Sequence, residues 1–290
     1  MSSFSFPTFN QMYAYERRFA KKVRSFGRYY FYTFLHRQQI REFEQFLNEK
    51  PLWQPVFTRY FYRVNALLQK FCDRRFSAQA RINAIKSNFE QAEAKFGTTI
   101  CQNLVENTSL KLAQLTEDWA VYLNINGIDP FEGFFSLNIK NTEGRSVYDA
   151  SFTLLPNNQL LIASIQGPNS ADAQELVKVA TKQLHGMRPM YMLVNAFKNV
   201  AETLGCELLG IAHKNQAKYR WNDHSKLLFN YDEFWQENEG VLNTQGYWTL
   251  PLIIERKSLD EIQSKKRSMY RKRYDMLDSM AQAIKVFFEK

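Results

Sequence analysis

Four tracts of this 290-residue sequence carry residue types that can do chemistry. The first is Gln183-Leu184-His185-Gly186-Met187-Arg188-Pro189. A flexible glycine and a guanidinium stand before a proline suited to the first turn of a helix. Unpaired N–H groups at a helix start, and the helix dipole, favour an anion, and an arginine there can hold a phosphate bidentately. Gln183, His185, Gly186 and Arg188 are therefore candidate anion-binding residues. The competing reading is a helix–helix corner with Arg188 paired to a carboxylate. The second tract holds His213, at the expected end of a strand, and Tyr219. They suit a general base and an acid partner, against the favoured reading of a surface histidine. The third is Lys265, Lys266, Arg267, Arg271, Lys272 and Arg273, interleaved with Met269, Tyr270 and Tyr274. It can grip the phosphates of lipid or nucleic acid. The fourth, Arg17 to Tyr32, mixes Arg and Lys with Phe and Tyr in the same way. For it the sequence favours aromatics packed inward and solvated cations, because Phe31, Phe34 and Leu35 begin a helical stripe.

Other chemistries find no pattern. Cys72, Cys101 and Cys206 are far apart, and His36 and His224 lack ligand spacing, so no metal site is expected. No Ser-His-Asp or Cys-His arrangement follows from spacing. Trp221, Trp235 and Trp248 can line an acyl pocket but read better as core. Residues 1–90 carry 16 Lys and Arg against 6 Asp and Glu, residues 91–254 carry 12 against 17, and residues 255–290 carry 10 against 6. Basic flanks around an acidic middle suit an anionic partner. No apolar run approaches the roughly 18 residues of a membrane helix, and Met1 to Phe9 lacks the basic start and apolar block of a signal peptide. The expectation is a cytoplasmic protein, with peripheral attachment to an anionic membrane preferred over nucleic-acid binding.

The elements that must position these groups read as α+β. Residues 1–27 form a basic, aromatic arm, loosely packed over 1–16. Residues 28–97 form a helical segment of about three helices, one with an apolar face from Phe57 to Phe71 and one starting near Ser77. Residues 98–257 are an α+β core. Its strands are expected at 118–125, 134–140, 146–154, 159–165 and 207–213, in one mostly antiparallel sheet. A helix capped by Ser170 runs to Leu184, and another runs from Pro189 to Gly205. Gly246 to Ile254 is a strand with Pro251 at an edge. Residues 258–290 are a long basic helix opened by the capping box Ser258-Leu259-Asp260-Glu261.

Several motifs in series carry a resemblance. They are Thr181 to Pro189, Tyr231-Asp232-x-Phe234-Trp235, Gly246-Tyr247-Trp248-x-Leu250-Pro251 and Lys265 to Tyr274. In this order and spacing the chain resembles the VirK/YbjX family of Gram-negative bacterial proteins, from about Arg28 to Leu277. The resemblance implies an accessory factor in envelope traits, virulence or resistance to host defences, and no catalytic residue. A second resemblance is to the fold of GNAT-type acyltransferases, which implies an acyl-CoA pyrophosphate on the loop at Gly186. Gln183 and Gly186 match that family's Gln/Arg-x-x-Gly-x-Gly/Ala loop. Arg188 departs from it, and the helix from Ser170 to Leu184 is an insertion.

Overall fold

A computed structural model describes residues 3–219 and 229–289. Trp221 and His224 lie outside the described residues. The fold is α+β. Its helical half comprises α1 (Phe9–Met12), α2 (Phe19–Leu35), α3 (Arg37–Glu49), α4 (Gln54–Thr58), α5 (Asn65–Leu68), α6 (Ala78–Phe96) and α7 (Thr98–Asn107). The sheet half follows with β1 (Ser109–Gln114), β2 (Trp119–Ile125), β3 (Phe135–Asn141), β4 (Ser146–Leu155) and β5 (Gln159–Gln166). Then come α8 (Ala173–Gln183), α9 (Pro189–Thr203), β6 (Glu207–Ile211), α10 (Tyr231–Glu237), β7 (Val241–Leu242), β8 (Tyr247–Leu250) and α11 (Ser264–Phe288).

All eight strands form one sheet in the order β1-β2-β3-β4-β5-β6-β8-β7. Every neighbouring pair is antiparallel except β5–β6, whose parallel register ends at Ile162 opposite Gly210. A parallel pair needs a crossover, and α8 and α9 supply it. Phe135 and Phe152 are in register and so share a face. Phe89 and Phe96 of α6 meet Phe135, and Phe197 of α9 meets Phe152, so both helices reach that face here. The alternate residues are polar. Asn124, Ser136, Asn138 and Ser151 are buried; Asn124 donates to the Ser136 carbonyl and to Asn138 and accepts from Lys140, Asn138 donates to Asp149, and Ser151 pairs with Ser164. Buried polar side chains need such partners, so this polar face is a hydrogen-bonded network.

The structure corrects several expectations. The start of the chain is docked, with Phe4, Phe9, Met12 and Tyr13 buried. The Phe4 amide donates to Asn48 Oδ1 (2.7 Å) and the Phe6 amide to Glu44 Oε1 (2.7 Å), so side chains of α3 hold it in place. The apolar face from Phe57 to Phe71 is no single helix. Tyr60 leaves helical geometry at φ −144°, and a 3-10 turn (Phe61–Val64) separates α4 from α5. Ser170 does not cap α8; its hydroxyl donates to Asp172 Oδ1 and accepts from Arg145. The Ser258 capping box exists but closes only the turn Leu259–Glu261, because Ile262 is extended and buried. α11 therefore starts at Ser264. Pro251 lies just past the end of β8, and β7 is the edge.

Candidate functional site

Where β5 and β6 part beyond Ile162, a hydroxyl enters the gap. Tyr231, from the first turn of α10, accepts from the Ile165 amide (2.9 Å) and donates to the Ile165 carbonyl (3.1 Å). The carboxyl ends of neighbouring strands in α/β sheets are where clefts form, and a cavity of about 530 Å³ opens beside this one. Glu132 lines it, although it is only 5% exposed. Its backbone belongs to a short 3-10 turn (Pro130–Glu132), opened by Asp129, whose side chain accepts the Phe131 amide (2.8 Å). Gln166 donates to Glu132 Oε2 at 2.7 Å. Lys218 sits 2.8 Å from Asp129 but 3.5 Å from Glu132. Burial raises the Glu132 carboxyl above the usual carboxylate range, and the nearby Lys218 charge only partly opposes this. Tyr148, Phe229 and Tyr231 provide aromatic wall. A buried carboxyl displaced in this way, in a cleft, can accept or hold a proton at a bound ligand. Among the described residues no group of three or more His, Cys, Asp or Glu is placed to hold a metal ion.

Of the residues singled out in the sequence, His213 and Tyr219 are brought together, their rings edge-to-face at 5.7 Å. His213 lies in a 3-10 turn (His213–Asn215) rather than closing β6. Its Nδ1 faces the Tyr231 amide and Gln216 Nε2, both at 3.4 Å. The Arg74 guanidinium stands over the Tyr219 ring.

The loop from Gln183 to Arg188 is a corner between α8 and α9. Gln183 accepts from Trp119 Nε1 (2.6 Å) and donates to Asp118. His185 and Gly186 both have positive φ, at 53° and 76°. Arg273 of α11 donates twice to the His185 carbonyl, from Nε at 3.1 Å and Nη2 at 2.8 Å. Burial, with Lys272 and Arg273 adding to it, holds the His185 imidazole below its usual value. The Gly186 amide donates to Thr181 O and the Met187 amide to Leu184 O, and Pro189 has none. What the loop shows outward is the exposed Arg188 side chain.

The two basic tracts differ. On α11, Lys265, Lys266, Arg271 and Lys272 are exposed. Arg267 instead donates to Ile262 O, and Arg273 is committed to His185. Met269, Tyr270 and Tyr274 are half-buried. On α2, Phe31, Phe34 and Leu35 do not pack inward, contrary to the sequence reading. No residue of α2 is buried, and Phe19 is 82%, Phe31 62% and Phe34 67% exposed. The body is met instead by Ser25, Tyr29 and Tyr32, with the Tyr29 hydroxyl donating to Pro7 O at 2.9 Å, and by one edge of Phe26, whose ring meets the buried Phe9 at 5.2 Å. Positions 19, 23, 26, 30 and 34 fall on one stripe at helical spacing, and all are exposed. The exposed cations Lys22 and Arg24 flank that stripe, while Arg28 lies on the side toward Tyr13 and Tyr62.

Sequence reasoning missed Glu132 and Lys218. Neither sits in a motif, and the contacts that make them a pair join residues 86 apart. By spacing, Phe31, Phe34 and Leu35 read as an inward stripe; what the spacing misses is the docked chain start, whose Phe9 packs on Phe26 and Tyr29 instead.

A protein-family profile described as "Protein of unknown function (DUF535)" matches residues 18–286. An "Uncharacterized protein" of Haemophilus influenzae (strain ATCC 51907 / DSM 11121 / KW20 / Rd) is 58% identical over 280 residues, covering 96% of each chain. "Membrane protein LapB" of Mannheimia haemolytica is 36% identical over 196 residues, covering 66% of this chain and 84% of that one. "Uncharacterized protein YbjX" of Escherichia coli (strain K12) is 31% identical over 165 residues, covering 54% and 50%. No solved structure matches the chain.

Proposed function

Since the chain belongs to the DUF535 family, which includes the VirK/YbjX proteins, we propose that it works as a peripheral protein of an anionic membrane surface, held there by the outward face of α2. The observation that carries this reading is the inverted amphipathicity of α2. Phe19, Val23, Tyr30 and Phe34 of its stripe are exposed, with the cations Lys22 and Arg24 beside them, which is the arrangement of an interfacial helix. Contiguous exposed apolar surface of this kind marks an interaction site. The flanking charge selects an anionic lipid surface over a neutral one, at about 1 kcal/mol per Lys or Arg near the surface. Among the described residues no helix is long and apolar enough to cross a membrane. The printed name of the Mannheimia haemolytica relative accords with attachment to a membrane. An accessory role at the inner face of the envelope, implied by the family resemblance, would place the protein where such lipid is available.

Co-sedimentation tests this. The protein should pellet with vesicles containing phosphatidylglycerol, not with pure phosphatidylcholine vesicles, and release should rise with salt. Retention by duplex DNA without vesicle binding would replace membrane by nucleic acid. Self-association that buries α2 without lipid would replace it by a second copy of the chain.

A second reading, a transferase on a GNAT-like scaffold, is favoured by one observation. The parallel pair β5–β6 parts beside a cavity, after helices and a strand meander. Here Arg188 would take a phosphate with its side chain, since the Gly186 and Met187 amides are already donated. Calorimetry with coenzyme A addresses it, and Arg188→Ala should weaken any binding by about 1.5–3 kcal/mol.

A further inference from the structure

We propose that the cavity at the parting of β5 and β6 binds an organic primary amine, its ammonium on Glu132 and its apolar stem along Tyr148 and Phe229. This is independent of the membrane reading and of any acyl transfer. Three observations carry it. The first is charge balance. Asp129 and Glu132 are two carboxylates that, among the described residues, share the Lys218 ammonium, which is nearer Asp129, at 2.8 Å, than Glu132, at 3.5 Å. Glu132, 5% exposed, is thus the less closely paired of the two carboxylates among the described residues. A buried carboxylate without a full counter-charge is costly, and a cationic ligand would offset that cost. The second is the wall. Aromatic rings beside a carboxylate are the surroundings that recognise ammonium groups, through the ring quadrupole and the charge together. The third is room and access. The cavity holds about 530 Å³, and Lys218, 43% exposed, marks its mouth. Gln166 holds Glu132 Oε2, while Oε1 stands 3.5 Å from Lys218, too long for a full hydrogen bond. The upward displacement of the Glu132 carboxyl agrees with this imbalance, since full pairing would have lowered it.

The probes are 2-phenylethylamine, the neutral 2-phenylethanol and the anionic 3-phenylpropionate, titrated into the full chain by calorimetry. A charged hydrogen bond contributes about 1.5–3 kcal/mol. The amine should therefore bind at least about tenfold more tightly than the alcohol, and the acid should not bind. Glu132→Gln should remove that preference while the alcohol binds as before. Amide shifts in NMR spectra give a readout that needs no variant, and the amine should move Gly167 and Asn169, at the rim. Equal affinity for amine and alcohol, binding of the acid, unchanged preference in Glu132→Gln, shifts only elsewhere, or no amine binding at tens of millimolar would each overturn the proposal.

Discussion

Helix α2 and helix α11 look alike as strings of letters and are opposite as surfaces. Each interleaves lysine and arginine with large apolar residues. In α11 the apolar side is taken up by the body. Met276, Leu277, Met280 and Ile284 are buried, and Arg273 reaches back to the His185 carbonyl. In α2 nothing is buried, and the aromatic stripe meets solvent. The difference teaches that composition sets what a basic helix can bind, while the neighbour it packs on decides which side is offered. Around Lys265 to Lys272, α11 offers cations without an exposed apolar stripe, and screening weakens them. α2 offers cations around a greasy centre, which salt removes only in part.

The comparison breaks most visibly at the α2 aromatics. Changing Phe19, Phe31 and Phe34 together to Ser should lower affinity for phosphatidylglycerol vesicles by on the order of 100-fold. Full burial of each would contribute about 1.5–3 kcal/mol, and shallow insertion captures part of it. The melting temperature should hardly move, because these side chains touch little of the fold. A large loss of thermal stability instead would mean that the stripe is structural.

A smaller effect is expected from charge. Lys22→Gln with Arg24→Gln should weaken vesicle binding by roughly 30-fold at low salt, at about 1 kcal/mol each. The matching pair on the other helix, Lys265→Gln with Lys272→Gln, should change it by less than about threefold. Equal losses from the two pairs would show that both helices lie on the membrane.

The opposite asymmetry should appear in stability. Arg273→Ala removes two charge-assisted bonds to the His185 carbonyl and should cost about 1.5–3 kcal/mol in urea unfolding, with vesicle binding kept. Loss of lipid binding with unchanged unfolding would reverse the roles given to the two helices.

The smallest effect concerns Glu132. Its folded pKa is raised by burial, so the native state binds the proton more tightly than the unfolded chain does. Stability is therefore lost as pH rises through the folded pKa, and the penalty is absent below the unfolded value. Lys218, Asp129, Ser164, Gln166, Tyr231 and Cys72 are the groups that face this carboxyl. Glu132→Gln should match the parent protein in acid and exceed it in thermal stability as pH climbs. A variant less stable at neutral pH than in acid, relative to the parent, would contradict the assignment.

Much of the frame was legible in the sequence. Alternation placed the strands from β2 to β5. Residues 207–211 join that sheet because Leu208 and Leu209 suit a covered strand beside β5. Local patterns failed where a distant partner decided the outcome. Ser170 has the right residue type for a cap, but Asp172 and Arg145 claim its hydroxyl. The capping box at Ser258 forms and still fails to start the long helix, because Ile262 is drawn into the core. Phe31 and Phe34 read as core by spacing, yet the α2 side that meets the body is the one with Tyr29 and Tyr32. Glu132 carries no local signal, since its meaning comes from Gln166 and Lys218.

The most direct measurement of the central claim is the depth of a nitroxide on each helix, by power saturation, with vesicles containing phosphatidylglycerol. Single cysteines at Val23 and Lys272, in a background with the three native cysteines replaced, would carry the label. The account predicts that the label at Val23 becomes accessible to oxygen and shielded from a water-soluble nickel chelate when vesicles are added, while the label at Lys272 stays in water. A label at Val23 that stays in water, while the one at Lys272 enters the lipid or neither does, would contradict it.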